Sequence, residues 1–369
     1  MGETPKTTVS SKSKIQNRMT DIAVIGAGMA GLVCAQQLTQ AGYSVIIIDK
    51  SRGVGGRLAT RRLHDTKADH GTCYLKPKGE FLQRLINLLA QKGDLEVWTD
   101  NLHVKNHGSS LAANAQSSLP YTAPEGMNVI AKFLAQGLEI HRGERVKSIN
   151  LDSQNQWSLI SESNEKFTVG AVVVAIPAPQ AVMILESLSG NLLSDTFLEK
   201  LRSVEYYPAL TVMSGYPDSI EQPEWKAITF KDNPVLGWIG LDSSKRKNPI
   251  QPHFVIHSSA DFAEKYFESE DLEKVGREIL ENAAINVNLS WLNNPEWIQV
   301  HRWRYAFPKT PLQQSCLPAD ISSPLVFCGD WCGGNLVESA IVSGIAAAEY
   351  INSKLQQREL PGINFLDVL

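Results

Sequence analysis

Three glycines in the spacing G-x-G-x-x-G, Gly26, Gly28 and Gly31, directly follow the apolar run Asp21–Ile25. The first permits a tight turn out of a strand. The second lets backbone N–H groups approach a pyrophosphate, and the third lets the next helix pack close to the sheet. That helix is expected from Met29 to Ala41, with Leu32, Ala35 and Leu38 at helical spacing and Gly42 as its stop. Its first N–H groups, at Met29, Ala30 and Gly31, point positive partial charge at an anion. A second apolar strand, Ser44 to Ile48, ends in Asp49. A carboxylate about twenty residues past the glycines accepts hydrogen bonds from an adenosine ribose. The chemistry implied is the binding of an adenine dinucleotide. Asp49 would repel a 2′-phosphate, although Lys50 and Arg52 beside it work the other way.

A second anion clamp follows at once in Gly55, Gly56 and Arg57, where the glycines clear the backbone and the guanidinium offers a planar fork. A nicotinamide-only fold has no need of it. At the far end, Leu325–Cys328 reads as a strand, Gly329 as a turn and Asp330 as an acceptor for a ribityl hydroxyl. A helix is expected from Val337, through Glu338 and Ser339, to about Leu355. An ordinary strand–loop–helix closing a Rossmann sheet would also fit this block. The Gly-Asp pair and the small-residue run Ser343–Ala348 favour a flavin instead, held across both ends of one discontinuous domain.

The G-x-G-x-x-G, the acid and the Gly-Gly-Arg together resemble the amine-oxidase-like flavoproteins. More narrowly, Asp69–Leu75, Gly126-Met127, His301–Pro308 and Gly329–Gly334 resemble renalases and bacterial renalase-like proteins. The resemblance spans most of Met19 to Asn352, specific at its ends and thin in its middle. Cys73 stands where that family carries Gln. The resemblance implies FAD, with N–H groups at the Val337 helix start facing flavin N1 and O2 and the Val146 backbone pairing with adenine. Cys316 lacks the surrounding pattern of covalent flavin attachment, so the FAD is expected to be non-covalent. The implied reaction moves a hydride from a small reduced substrate, dihydro-NAD(P) isomers, to flavin N5, with O2 as acceptor and H2O2 as product.

A flavin performs such a transfer itself, so no catalytic acid or base need appear. The pocket candidates are His70, Tyr74, Trp303, Arg304, Tyr305 and Trp331, which flank the motifs nearest the flavin. Aromatic faces can stack on a flat substrate, and Arg304 can bind a carboxamide oxygen or phosphate. His70 reads as a structural hydrogen-bonding group rather than a base. Oxidation of an amine or of ordinary NAD(P)H is the enzymatic alternative, and a non-catalytic flavin-binding assembly or redox-sensing protein is the other. An aromatic pair framing a neutral amine would mark the first, whereas a nucleotide substrate needs basic groups at the pocket mouth.

The elements that must position these residues suit an α/β protein. A Rossmann-type FAD domain is expected from 19–75, 121–180 and 318–357, with an inserted α+β substrate domain on an antiparallel sheet from 76–120 and 181–317. Residues 358–369 form a tail. The chain of 369 residues, 43% apolar, suffices for both cores. Strands are expected at Glu144–Ile149, Ala171–Ile176, Ala209–Met213, Val235–Ile239, Phe254–Ile256 and Ile298–Tyr305, and a hairpin at 157–169. Helices are expected at Phe81–Gln91, from Gly126 to Leu134, and at Asp271–Ala284, with a loop over 101–120. The net charge of −4 gives no general attraction to nucleic acid. No apolar run approaches the ~20 residues of a spanning helix. Residues 1–18 are basic, lack an apolar core and are read as a flexible extension rather than a secretory signal. A cytoplasmic setting is expected, with organelle targeting by that extension as the alternative. Five cysteines, odd in number and irregularly spaced, fit reduced thiols, with a Cys328/Cys332 redox dithiol as the rarer reading. No metal-ligand cluster stands out, and the sequence leaves the oligomeric state open.

Overall fold

The computed structural model describes residues 20–113, 118–186, 188 and 192–369, so the N-terminal extension lies outside the described residues. An eight-stranded sheet organises the two ends of the chain. Its parallel centre runs in the order Glu139–Arg142, Val45–Asp49, Thr20–Ile25, Lys166–Val174, Leu325–Phe327. Strands buried on both faces read as continuous apolar runs, which is why Ile22–Ile25, Val45–Ile48 and Ala171–Val174 carry no polar alternation. Ile22, Val24, Ile47, Ala171 and Val173 pack against the helices Met29–Gln40, Glu80–Gln91, Asn128–Leu134 and Val337–Lys354. Ala23, Ile25, Ile48, Val172 and Val174 pack on the opposite side with Trp157, Leu159 and the helices Ala178–Leu185 and Asp195–Arg202. Lys166–Val174 serves two roles. Its first half pairs antiparallel with Trp157–Ser161, and its second half lies parallel to the first strand.

The small-residue run near the C-terminus has a packing cause. A Cβ on Gly344 would lie 2.3 Å from the carbonyl oxygen of Ala30, so the first and last long helices cross backbone to backbone. The final helix is thereby seated directly behind the glycine turn of the first.

A seven-stranded sheet forms the second layer, in the order Trp297–Pro308, Tyr206–Gly215, His253–Ser258, Leu236–Leu241, Ala227–Lys231, Leu102–Asn106, Ala112–Ala113. It is antiparallel except where Ala227–Lys231 runs parallel to Leu102–Asn106. The loop expected over 101–120 is therefore corrected in its first part, and residues 114–117 lie outside the described residues. The alternation Leu102-His103-Val104-Lys105 is only four residues long and lies beside a Ser-, Asn- and Ala-rich stretch, so it is easily read as loop. The strand forms where the exposed edge of Ala227–Lys231 offers hydrogen-bonding groups. Leu210, Val212, Ile228, Ile239, Phe254 and Ile256 face the helices Ala260–Tyr266 and Leu272–Val287. Met213, Ala227, Trp238 and Val255 face the other way, onto Ala68 and Cys73. That second face roofs the hairpin Thr60–Leu63/Thr66–Asp69, which leads directly out of the second glycine motif. Among the described residues no helix is long and apolar enough to cross a membrane.

Candidate functional site

Gly26 (φ +107°) turns the chain out of the first strand, and a Cβ there would meet the Ala175 carbonyl oxygen at 2.6 Å. At Gly31 a Cβ would sit 2.0 Å from the Gly26 oxygen, the close helix–strand approach that the spacing implies. Gly28 differs, since nothing lies within 4 Å of the Cβ it lacks. The second glycine pair closes on it. Gly55 N–H donates to the Ala27 carbonyl (2.8 Å), and a Cβ on Gly56 would lie 3.5 Å from Gly28 Cα. The two motifs thus form one side-chain-free floor. The helix Met29–Gln40 has no side-chain cap at Gly28, so the first N–H groups, at Met29, Ala30 and Gly31, have no intrahelical acceptor. An open floor under uncapped N–H donors fits a pyrophosphate.

Asp49 Oδ2 accepts from Ala27 N–H (2.6 Å) and Oδ1 from Ser51 N–H (2.7 Å), which pins the strand end to the glycine turn. A carboxylate offers about four acceptor sites, so capacity for ribose hydroxyls remains. Glu144 N–H donates to the Asp49 carbonyl and Gly143 N–H to that of Ser51, which carries Val146 to the same corner with its side chain buried. Lys50 and Arg52 are exposed at the rim.

Arg57 and Asp330, 273 residues apart, hold each other. Nη1 donates to Oδ2 (2.8 Å), Nη2 to Oδ1 (2.7 Å), and Nη1 also to the Ala306 carbonyl (2.9 Å). The sequence alone assigns each residue to the cofactor separately. The pairing follows from burial, because a carboxylate only 5% exposed needs a charge partner. Arg57 keeps its Nε–H and one Nη2–H for a further acceptor. Gly329 N–H donates to Ser343 Oγ (3.0 Å), fixing the turn before Asp330 against the last helix. That helix also begins without a side-chain cap, at Leu336, with Val337 half-buried. Ser339 Oγ would lie 2.3 Å from a Cβ on Gly334 and so backs the preceding loop. Glu338 departs from its expected role. Its carboxylate accepts from Leu82 N–H (2.7 Å) and Phe81 N–H (3.4 Å), capping the helix Glu80–Gln91 from outside. Gly79 carries no side chain to do this, and the helix N-terminus supplies the attraction.

On the roof, alternation along Trp297–Pro308 decides which residues face inward. Trp303 Nε1 donates to the His70 carbonyl (2.9 Å) and its ring stacks on His70 at 5.3 Å. His301 meets His70 edge-on at 4.8 Å. Tyr305 meets Tyr206 edge-on at 5.4 Å, and Tyr206 lies within the electrostatic reach of Asp330 and Arg57. Arg304 is on the opposite face, exposed, paired with Glu268 (2.7 Å) and stacked over Phe267. It does not enter the site, because odd residues of this strand face the hairpin and even ones face away. Trp331 is a second correction. It is 1% exposed in the core, with Nε1 donating to the Ile176 carbonyl (3.3 Å). Tyr74 lies between Trp98 and Trp238, at 5.9 and 6.3 Å.

Burial, then His301 and Arg61, pushes the His70 pKa down to about 3. Burial likewise brings His257 and His301 to about 4. All three are neutral at pH 7. His70 Nδ1 is buried without a hydrogen-bond partner, while the ring takes a backbone hydrogen bond with Ala68 and the His70 backbone bonds Ala59 and Trp303. The described cysteines are free. Burial pushes the Cys332 thiol up to about 12 and Cys328 well above its ordinary value, so neither is a thiolate at neutral pH.

Sequence reasoning missed a buried charge cluster beside this roof. Asp242 accepts from Lys245 Nζ and Arg246 Nη2 (both 2.6 Å), and Asp69 from Arg246 Nη2 (2.9 Å), with Lys245 Nζ 3.5 Å away. Asp69 Oδ1 also accepts from Met127 N–H (2.9 Å) and Thr60 Oγ1 (2.7 Å). The cluster bolts the residue before His70 to the seven-stranded sheet and to the turn at Gly126. The i,i+3 and i,i+4 spacing of Asp242, Lys245 and Arg246 was a signal available in the sequence, whereas Asp69 lies 173 residues away.

A family model described as flavin containing amine oxidoreductase matches residues 95–352. The chain belongs to that family. A model for an NAD(P)-binding Rossmann-like domain matches residues 24–90. The wild-type putrescine oxidase with bound putrescine superposes with a TM-score of 0.70 at 14% identity, covering 91% of this chain and 99% of that one. A protein named as a flavin-containing monoamine oxidase in Mycobacterium tuberculosis is 40% identical over 57 residues, 15% of this chain and 13% of its own. The L-amino-acid oxidase of Crotalus adamanteus is 37% identical over 76 residues, 21% of this chain and 14% of its own. The chain thus matches only about an eighth of the length of these curated relatives. The distant structural likeness speaks for the fold alone. Membership in this flavoprotein family agrees with the donor-rich glycine floor and the two uncapped helix starts.

Proposed function

We propose that this chain is an FAD-dependent oxidase of renalase-like type, acting on a flat, reduced nicotinamide such as a dihydro-NAD(P) isomer. Non-covalent FAD would supply two-electron acceptance from the substrate and reoxidation by O2 to H2O2. The floor of Gly26, Gly28, Gly31, Gly55 and Gly56, with the N–H groups of Met29 and Ala30, would hold the pyrophosphate. Asp49 would hold the ribose, and Asp330 and Arg57 the ribityl end.

The observation that carries the substrate reading is the chemistry of the roof. His70 and Trp303 stack and His301 stands edge-on to both, a contiguous aromatic cluster whose histidines are neutral. The charge that bears on both histidines is the guanidinium of Arg61. A cationic amine would find no carboxylate there, since Asp69 and Asp242 are already paired. A neutral dihydropyridine ring on an anionic nucleotide suits an uncharged aromatic cluster with a cation at its edge. Oxidation of a neutral amine is the second reading, favoured by the Tyr206–Tyr305 pair beside Arg57 and Asp330.

The test is an anaerobic titration of the holoprotein with dihydro-NAD isomers, clean NADH and putrescine, followed by flavin absorbance. Rapid bleaching by an isomer, reversed by oxygen with peroxide formed, is expected. Bleaching by putrescine alone transfers the assignment to amines, and an unchanged spectrum with every donor leaves a flavoprotein without this activity.

A further inference from the structure

The strand Thr60–Leu63 carries a cation that the fold does not use. Arg61 pairs in register with Ala68, and opposite residues of an antiparallel pair present side chains on the same face. Ala68 and Leu63 pack into the cluster under the seven-stranded sheet, so Arg61 is on the face turned toward that sheet. It is half-buried. Arg57, Lys245 and Arg246 all have carboxylate partners. Among the described residues the Arg61 side chain has neither an ion pair nor a hydrogen bond, and its charge bears on the neutral rings of His70 and His301.

A second, independent observation marks the same patch. Thr211 Oγ1 is buried at 0% exposure without a partner, and Gln299 Oε1 and His70 Nδ1 are buried without partners as well. Thr211 is paired with His301, and Met213 with Gln299. Thr211 and Gln299 are therefore diagonal neighbours on the inward face, within reach of a shared ligand. Buried polar atoms are normally satisfied, so these three atoms, two of them on the sheet face that turns toward the hairpin bearing Arg61, have capacity for a polar ligand.

We propose that Arg61 binds the 5′-phosphate of a nicotinamide nucleotide whose ring lies against Trp303 and His70. This rests on the substrate reading above. Along the inward face the His301 ring lies 4.5 Å from the Trp303 ring, and the Arg61 charge bears on His301, so the cation is on the His301 side of the aromatic cluster. The neutral His70 Nδ1, Thr211 Oγ1 and Gln299 Oε1 are left to accept from, or donate to, ribose hydroxyls and carboxamide. Arg61 acts on the substrate alone and is remote in role from the glycine floor.

The test is equilibrium dialysis of the holoprotein with two oxidised probes, nicotinamide mononucleotide and nicotinamide riboside, which differ by the phosphate. A charge-assisted contact predicts about tenfold to a hundredfold tighter binding of the mononucleotide. Arg61→Gln should abolish that preference while leaving riboside binding and flavin content unchanged, and Arg61→Lys should restore part of it as a point charge. Equal affinity for both probes in the native protein, or an equal loss for both in Arg61→Gln, overturns the assignment. Failure of the substrate reading shows separately, as a flavin that dihydronicotinamide isomers leave oxidised. Reduction by isomers without phosphate preference overturns Arg61's role alone.

Discussion

Lowering the pH from 7 to 5 should destabilise this protein through His70. The ring is 8% exposed, and burial together with His301 and Arg61 holds its pKa near 3. In the unfolded chain an imidazole titrates near 6.5. As pH falls below that value, the unfolded chain takes a proton that the folded chain refuses. The stability associated with the neutral ring is therefore complete above about pH 6.5 and declines steadily toward the folded pKa. At pH 5 the unfolded state gains a factor of about thirty, or ~2 kcal/mol, from this one group. His301 acts in the same direction but is half-exposed, so screening reduces its share. The assay is urea unfolding of the native protein and His70→Gln at both pH values in saturating FAD. The native protein should lose ~2 kcal/mol more than the variant between the two conditions. Equal losses would show that His70 is charged in the fold or reached by water, and would remove the argument for a neutral roof.

Two further outcomes follow from the packing. Asp242→Asn leaves Lys245, at 0% side-chain exposure, with weakened compensation, and should cost ~3–5 kcal/mol in chemical denaturation, much of it recovered by adding Lys245→Met; a neutral single variant would mean the cluster contributes nothing. Gly344→Val drives a side chain into the Ala30 carbonyl, 2.3 Å from the new Cβ, and should cost ~1–3 kcal/mol together with weakened FAD retention. An unchanged thermal midpoint would show that the two helices separate freely.

The parts of this molecule legible in the sequence are those set by local backbone demands. Gly26, Gly31 and Gly344 each stand where a Cβ would strike a carbonyl oxygen, and the motif spacing and the small-residue run mark them in the sequence. The strands buried on both faces announce themselves as unbroken apolar runs. What stayed hidden was which side chains face each other. Arg304 and Trp303 are neighbours in sequence, yet strand alternation sends one to Glu268 and the other to His70. Glu338 lies inside a cofactor motif but spends its carboxylate on a helix more than two hundred and fifty residues earlier (|i−j| of 256 to Leu82). Asp69 sits beside His70 in one motif while its charge partners are on the short helical turn after the strand Leu236–Leu241. Such assignments depend on long-range packing, for which a single sequence carries no period.

The same long-range contacts separate the glycine floor from the sheet above it. The first glycine turn, the Gly-Gly-Arg segment and the last helix are tied by Gly344 against Ala30, Gly329 to Ser343, and Arg57 to Asp330. Each of these contacts joins residues 20–60 to residues 325–354 or lies within one of those segments. The intervening seven-stranded sheet touches that frame chiefly through the Asp69 cluster, the His70–Trp303 contact and the Arg57–Ala306 hydrogen bond. Side chains on the inward face of the sheet, such as Thr211, Gln299 and His301, take no part in those ties. Substitutions there can reshape what the roof recognises while the floor beneath stays intact. On this argument, specificity differences among proteins of this fold should concentrate on the odd-numbered face of Trp297–Pro308 and on Arg61, and the glycine floor should be indifferent to them.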